Sequence, residues 1–235
     1  PLLLLHGYPQ NHVEWHKVAP RLAERYTVVC PDLRGYGDSD KPASSNDDLW
    51  TYCKRASAND QIEVMKALGF DQFHLVGHDR GVRVGLRLAL DHPQAVKSFT
   101  NLDVMPAMES FENMDSSLSY SWFHWHLMRQ PSPLPETLFS CHAKLFLDFF
   151  LENWTAVPNS FSDEAYADYL RCFSNPETVR AMCADYRSVS LDLAHDDADR
   201  GTQLSCPVLV LWGGEMSKRP GWQTGQNLDM MTVWK

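Results

Sequence analysis

With 235 residues, 44% of them hydrophobic and 22% charged, the chain has the composition of a globular protein able to bury one substantial core. A net charge of −9 leaves no basic stripe for phosphates and excludes nucleic acid as a partner; any anion site has to be a local cluster of arginines. No apolar run reaches the length of a membrane span, Pro1 to Leu5 are too short for a signal segment, and Cys30, Cys53, Cys141, Cys172, Cys183 and Cys206 show no metal-ligand spacing. The expectation is a reduced, cytoplasmic protein with no membrane partner, no metal and no cofactor.

Leu2 to Leu5 read as a buried strand feeding the turn His6-Gly7-Tyr8-Pro9. Trp15, Val18, Ala19, Leu22 and Ala23 mark an amphipathic helix, and Thr27 to Cys30 a second strand before the glycine-punctuated loop Asp32 to Ser39. A helical stretch ends near Leu68-Gly69, the apolar run Phe73 to Val76 follows, and Val82, Leu86, Ala89 and Leu90 repeat at helical spacing up to His92-Pro93. Val96 to Leu102 is another strand. This alternation predicts an α/β fold with a mostly parallel sheet and helices on both faces. From Pro106 to about Ala194 no strand is legible, and the segment reads as an aromatic-rich helical insertion with the proline connector Pro131 to Pro135. Strand character returns at Pro207 to Trp212. The predicted organisation is a core of residues 1–105 and 195–235 with a helical cap of residues 106–194.

Gly77-His78-Asp79-Arg80-Gly81 joins a strand to a helix. The form G-x-S-x-G at such a junction is a sharp turn that exposes a nucleophile above the sheet. Here the middle residue is Asp79, and a carboxylate, ordinarily ionised at pH 7, can displace a leaving group from carbon and form an ester. Arg80 and Arg83 lie on one helical face at the positive end of the following helix, an arrangement suited to gripping a small carboxylate. Arg87 reads as a solvated helix residue, and His195, Asp196, Asp197 and Asp199 as an acidic solvated loop.

The turn at His6, the loop from Asp32 and the aspartate elbow together resemble the α/β-hydrolase superfamily along essentially the whole chain. An aspartate nucleophile marks its haloalkane dehalogenase, epoxide hydrolase and haloacetate dehalogenase branches. Arg80 after the nucleophile, with His124-Trp125, Pro131 to Glu136 and Asp185-Tyr186-Arg187, resembles the haloacetate (fluoroacetate) dehalogenases. That resemblance implies a cap after the strand ending near Leu102 and conversion of a haloacetate to glycolate and halide. By the same resemblance, His124, Trp125 and Tyr186 surround the halide, and Asp103 is the acid that orients a catalytic histidine, with Glu215 the other candidate. The resemblance further implies that the backbone amides of Tyr8 and Arg80 form the oxyanion hole. A small halogenated carboxylate is the expected partner, and a homodimer the implied assembly.

The family needs a histidine near its C-terminus, yet no histidine follows His195 in the sequence. The chain reads as cut at both ends and able to perform the displacement without the hydrolysis. Two other readings stay open: an epoxide hydrolase, for which Tyr120, Tyr166, Tyr169 and Tyr186 are candidate proton donors, and a non-catalytic binding protein that keeps the cavity.

Overall fold

The computed structural model describes residues 1–213 and Trp234. Among the described residues five parallel strands, β1 (Leu2–Leu5), β2 (Val28–Val29), β3 (Phe73–His78), β4 (Val96–Leu102) and β5 (Val208–Leu211), stand in the order β2-β1-β3-β4-β5. The short helix α1 (Ala19–Leu22) leads to β2; α2 (Lys54–Ala67) and α3 (Arg80–Asp91) flank β3 in sequence. Because side chains alternate along a strand, Leu3 and Leu5 join Ile62 and Met65 of α2 and Val82 and Leu88 of α3 in one core, while Leu2 and Leu4 pack with Trp15, Ala19 and Leu22 in another. The sheet therefore carries helices on both faces, as a parallel sheet requires.

Strand order reverses between β1 and β3, whose C-terminal ends lie side by side. Open α/β sheets form their ligand crevice at such a switch point. Here the turn after β1 meets the elbow after β3.

Residues 12–23 depart from the single amphipathic helix read in the sequence. They form a 3-10 turn, His12–Trp15, capped by the Asn11 side chain, and then α1 with Pro20 in its first turn. Proline lacks an N–H, so it opens a new helix rather than sitting inside one. The loop from Asp32 is structural. The Asp32 carboxylate accepts from the His12 and Asp38 amides at 2.7 and 2.8 Å, and a Cβ on Gly37 would fall 2.0 Å from it.

Between β4 and β5 the chain is helical: α4 (Ala107–Glu112), α5 (Ser116–Ser121), α6 (Phe123–Met128), α7 (Leu134–Cys141), α8 (Ala143–Trp154), α9 (Asp163–Phe173), α10 (Pro176–Arg187) and α11 (Val189–Ala198). His195, Asp196 and Asp197 are the end of α11, not a loop. The reason is a partner: Arg87, read as solvated, is buried, and it pairs with Asp91 at 2.8 Å and Asp199 at 2.5 Å. Among the described residues no helix is long and apolar enough to cross a membrane.

Candidate active site

The elbow is built by strain and close approach. Asp79 has φ 46° and ψ −113°, a conformation that residues with a Cβ rarely adopt and that tends to collect at functional sites. Its neighbours must be small. A Cβ on Gly77 would lie 2.6 Å from the Gly81 backbone, and one on Gly81 would lie 2.1 Å from the Leu5 carbonyl oxygen.

Asp79 sits in the wall of a cavity of about 340 Å³ shared by the sheet ends and the helical segment. Tyr8, Glu14, His78, Asp79, Arg83 and Asp103 line the sheet side; Trp122, His124, Trp125, Phe150 and Trp154 line the other. The Tyr8 amide donates to Oδ1 of Asp79 at 2.9 Å, so the turn after β1 aims an N–H at the Asp79 carboxylate. Asp103, at φ 63°, accepts from the Gly213 amide at 2.7 Å through Oδ1 and donates its own amide to Leu211, which pins the end of β5 beside the cavity. Glu215 lies outside the described residues.

The two arginines differ. Arg83 is buried, its guanidinium stands 4.6 Å over the Trp125 ring, and its Nε and Nη1 have no hydrogen-bond partner. Burial lowers its pKa to about 10. Arg80 is engaged by Asp185: Nε donates to it at 2.9 Å, Nη2 lies 2.5 Å from the other oxygen, and the guanidinium rests 4.2 Å over Tyr186. Lys54 pairs with the same carboxylate. Burial resists the charge on Asp185, yet Arg80 and Lys54 outweigh it and hold its pKa at about 2.

His124, Trp125 and Tyr186 form one aromatic cluster, with ring centroids 6.4 Å apart for His124 and Trp125, 5.6 Å for His124 and Tyr186, and 5.3 Å for Trp125 and Tyr186. His124 and Trp125 line the cavity; Tyr186 stands behind them, edge-on to Tyr8. Burial, reinforced by Arg80, lowers the His124 pKa well below the usual value, so its imidazole is neutral at pH 7. Its Nδ1 and the Tyr8 hydroxyl are buried without hydrogen-bond partners.

Sequence reasoning passed over Glu14, His78 and Asp185. His78 lies inside the motif itself, which was the available signal. Glu14 and Asp185 reach their partners from 64 and 105 positions away in the chain; nothing local marks Glu14, and Asp185, although part of the segment that carried the resemblance, gives no local sign of its pairing with Arg80. Away from the cavity, Cys53, Asp192 and His195 bring donor atoms within 4.8 Å of one another. Asp192 there accepts from the Lys54 amide at 2.7 Å and lies 3.6 Å from its ammonium, which makes it part of an ion-pair cluster.

Comparisons with known proteins agree with this architecture. Residues 1–217 match the model of the alpha/beta hydrolase fold. Fluoroacetate dehalogenase of Burkholderia sp is 44% identical over 214 residues, covering 90% of this chain and 70% of that one. Soluble epoxide hydrolase of Corynebacterium sp. (strain C12) is 34% identical over 229 residues, covering 95% and 78%. A solved structure from Nostoc sp PCC 7120, provisionally named an α/β-hydrolase, superposes with a TM-score of 0.94 at 47% identity and covers all of this chain and 78% of that one. The chain belongs to the α/β-hydrolase fold family. It is a hydrolase, similar in sequence to a fluoroacetate dehalogenase and, at lower identity, to a soluble epoxide hydrolase.

Proposed function

We propose that the protein dehalogenates a haloacetate through an ester on Asp79. The observation that carries this reading is a set of buried polar groups without partners on one cavity: Arg83 Nε and Nη1, His124 Nδ1 and the Tyr8 hydroxyl. Buried polar groups are nearly always satisfied, so such a set around a nucleophile calls for a small polar ligand. A halogenated carboxylate suits it. Arg83 takes the carboxylate, Cα faces Asp79, and the halogen faces His124 and Trp125, with Tyr186 behind them.

One Asp79 oxygen attacks Cα; the C–O bond of an ester forms as the carbon–halogen bond breaks, and the halide leaves with the bonding pair. Developing halide charge is met by donors in a largely apolar pocket, where each is worth more than in water. His124 is suited to this because its neutral imidazole still carries one N–H to donate and brings no negative charge of its own. Release of glycolate needs water to attack the ester carbonyl, the oxyanion being met by the Tyr8 and Arg80 amides; no histidine follows His195 in this sequence to activate that water, so the ester is expected to persist on Asp79. Asp103 holds the position of the acid that orients a water-activating histidine.

Epoxide hydrolysis is the second reading, favoured by the Corynebacterium relative. It needs tyrosines at the cavity from the helical segment. Tyr166 donates instead to Asp148 at 2.5 Å, Tyr169 accepts from Gln10, Tyr120 is exposed, and none of the three lines the cavity. Mass spectrometry of the Asp79 peptide separates the readings: chloroacetate is expected to add a carboxymethyl group, absent in Asp79→Asn, and styrene oxide to add nothing. Labelling by the epoxide alone, or none by either, overturns the dehalogenase reading.

A further inference from the structure

Three carboxylates, Asp79, Asp103 and Glu14, and three basic side chains, Arg83, His78 and His124, line the cavity; burial keeps His124 neutral, and Arg80 is neutralised behind the cavity by Asp185. A haloacetate brings one more negative charge. Arg83 alone then faces three carboxylates and an anionic substrate.

His78 directly precedes the nucleophile, and its Nδ1 lies 2.9 Å from Oε1 of Glu14. The other Glu14 oxygen accepts from the Gly7 amide at 2.8 Å, and the next amide, that of Tyr8, donates to Asp79 at 2.9 Å. One carboxylate thus ties the turn after β1 to the elbow after β3. The fit is tight, since a Cβ on Gly7 would fall 2.6 Å from Asp79 Cβ and 3.0 Å from His78 Nδ1.

Resting on the dehalogenase reading, we propose that His78, held by Glu14, is a positioning residue that supplies the second positive charge of the site and favours anionic over neutral halides. Burial opposes that charge, but Glu14, then Asp79 and Asp103, more than offset it and raise the His78 pKa to about 9. The other groups facing this space do not replace it. Tyr8 has its pKa raised well above the ordinary value by burial, so it stays protonated, and His124 is neutral. Arg83 is charged up to about pH 10.

The test uses two probes of nearly equal shape, chloroacetate and neutral chloroacetamide, and follows the initial rate of labelling on the Asp79 peptide. In the wild-type protein the acetate-to-acetamide rate ratio is expected to fall as pH rises from 8 to 9.5. His78→Gln and Glu14→Gln are expected to lower that ratio at pH 7.5 by about tenfold, and His78→Gln to flatten its pH dependence in this range. A merely structural role would slow both probes alike and leave the ratio unmoved. Equal ratios in all three proteins, with a flat wild-type profile, overturn the inference. If the variants fail to fold by circular dichroism, the wild-type profile alone decides. No label on wild-type Asp79 from either probe overturns the nucleophile assignment and this inference with it.

Discussion

Arg80 and Arg83 leave the same face of α3 three residues apart, yet one is locked and the other is open. Behind the elbow, Arg80 shares the buried Asp185 carboxylate with Lys54 and rests on Tyr186. In front of it, Arg83 stacks on Trp125 with two nitrogens unpartnered at the cavity. A buried charge is tolerated when it is paired; left unpaired, it is costly and kept where a ligand can complete it. The contrast separates a cation whose charge is met by Asp185 of the helical segment from one whose charge has no hydrogen-bonded partner among the described residues, and the proposed function gives the second to substrate.

That division can be broken from either side. The largest effect is expected on the locked side: Asp185→Asn leaves Arg80 and Lys54 without their shared counter-charge and should cost about 3–5 kcal/mol of stability in urea denaturation. On the open side, Arg83→Gln should change stability by no more than about 1 kcal/mol while raising KM for chloroacetate by roughly ten- to a hundredfold, about 1.5–3 kcal/mol of lost charged hydrogen bonding. If the two substitutions exchange these effects, the assignment of the arginines is reversed. A smaller effect concerns strain. Asp79→Gly should abolish labelling yet raise the melting temperature by a few degrees, because glycine adopts the φ of 46° at no steric cost.

The sheet was legible because its signals are local. Leu2 to Leu5 and Phe73 to Val76 are short apolar runs bounded by turns, and both are strands. The elbow was legible for the same reason: Gly77 and Gly81 are small because backbone passes where a Cβ would be. Long-range pairing was not. Nothing near Arg80 announces Asp185, and periodicity alone could not distinguish solvated Arg87 from the buried residue that meets Asp91 and Asp199. The helix read across residues 15–23 failed on a local detail, Pro20, whose missing N–H placed it in a first turn.

In the proposed reaction Arg83 takes the substrate carboxylate while Arg80 stays with Asp185. A crystal structure of Asp79→Asn soaked with chloroacetate decides between this arrangement and its reverse. The expected result is a carboxylate within hydrogen-bond distance of Arg83, chlorine toward His124 and Trp125, Cα facing residue 79, and the Arg80–Asp185 pair intact. A carboxylate held by Arg80 with Asp185 displaced, or chloroacetate bound away from residue 79, would contradict it.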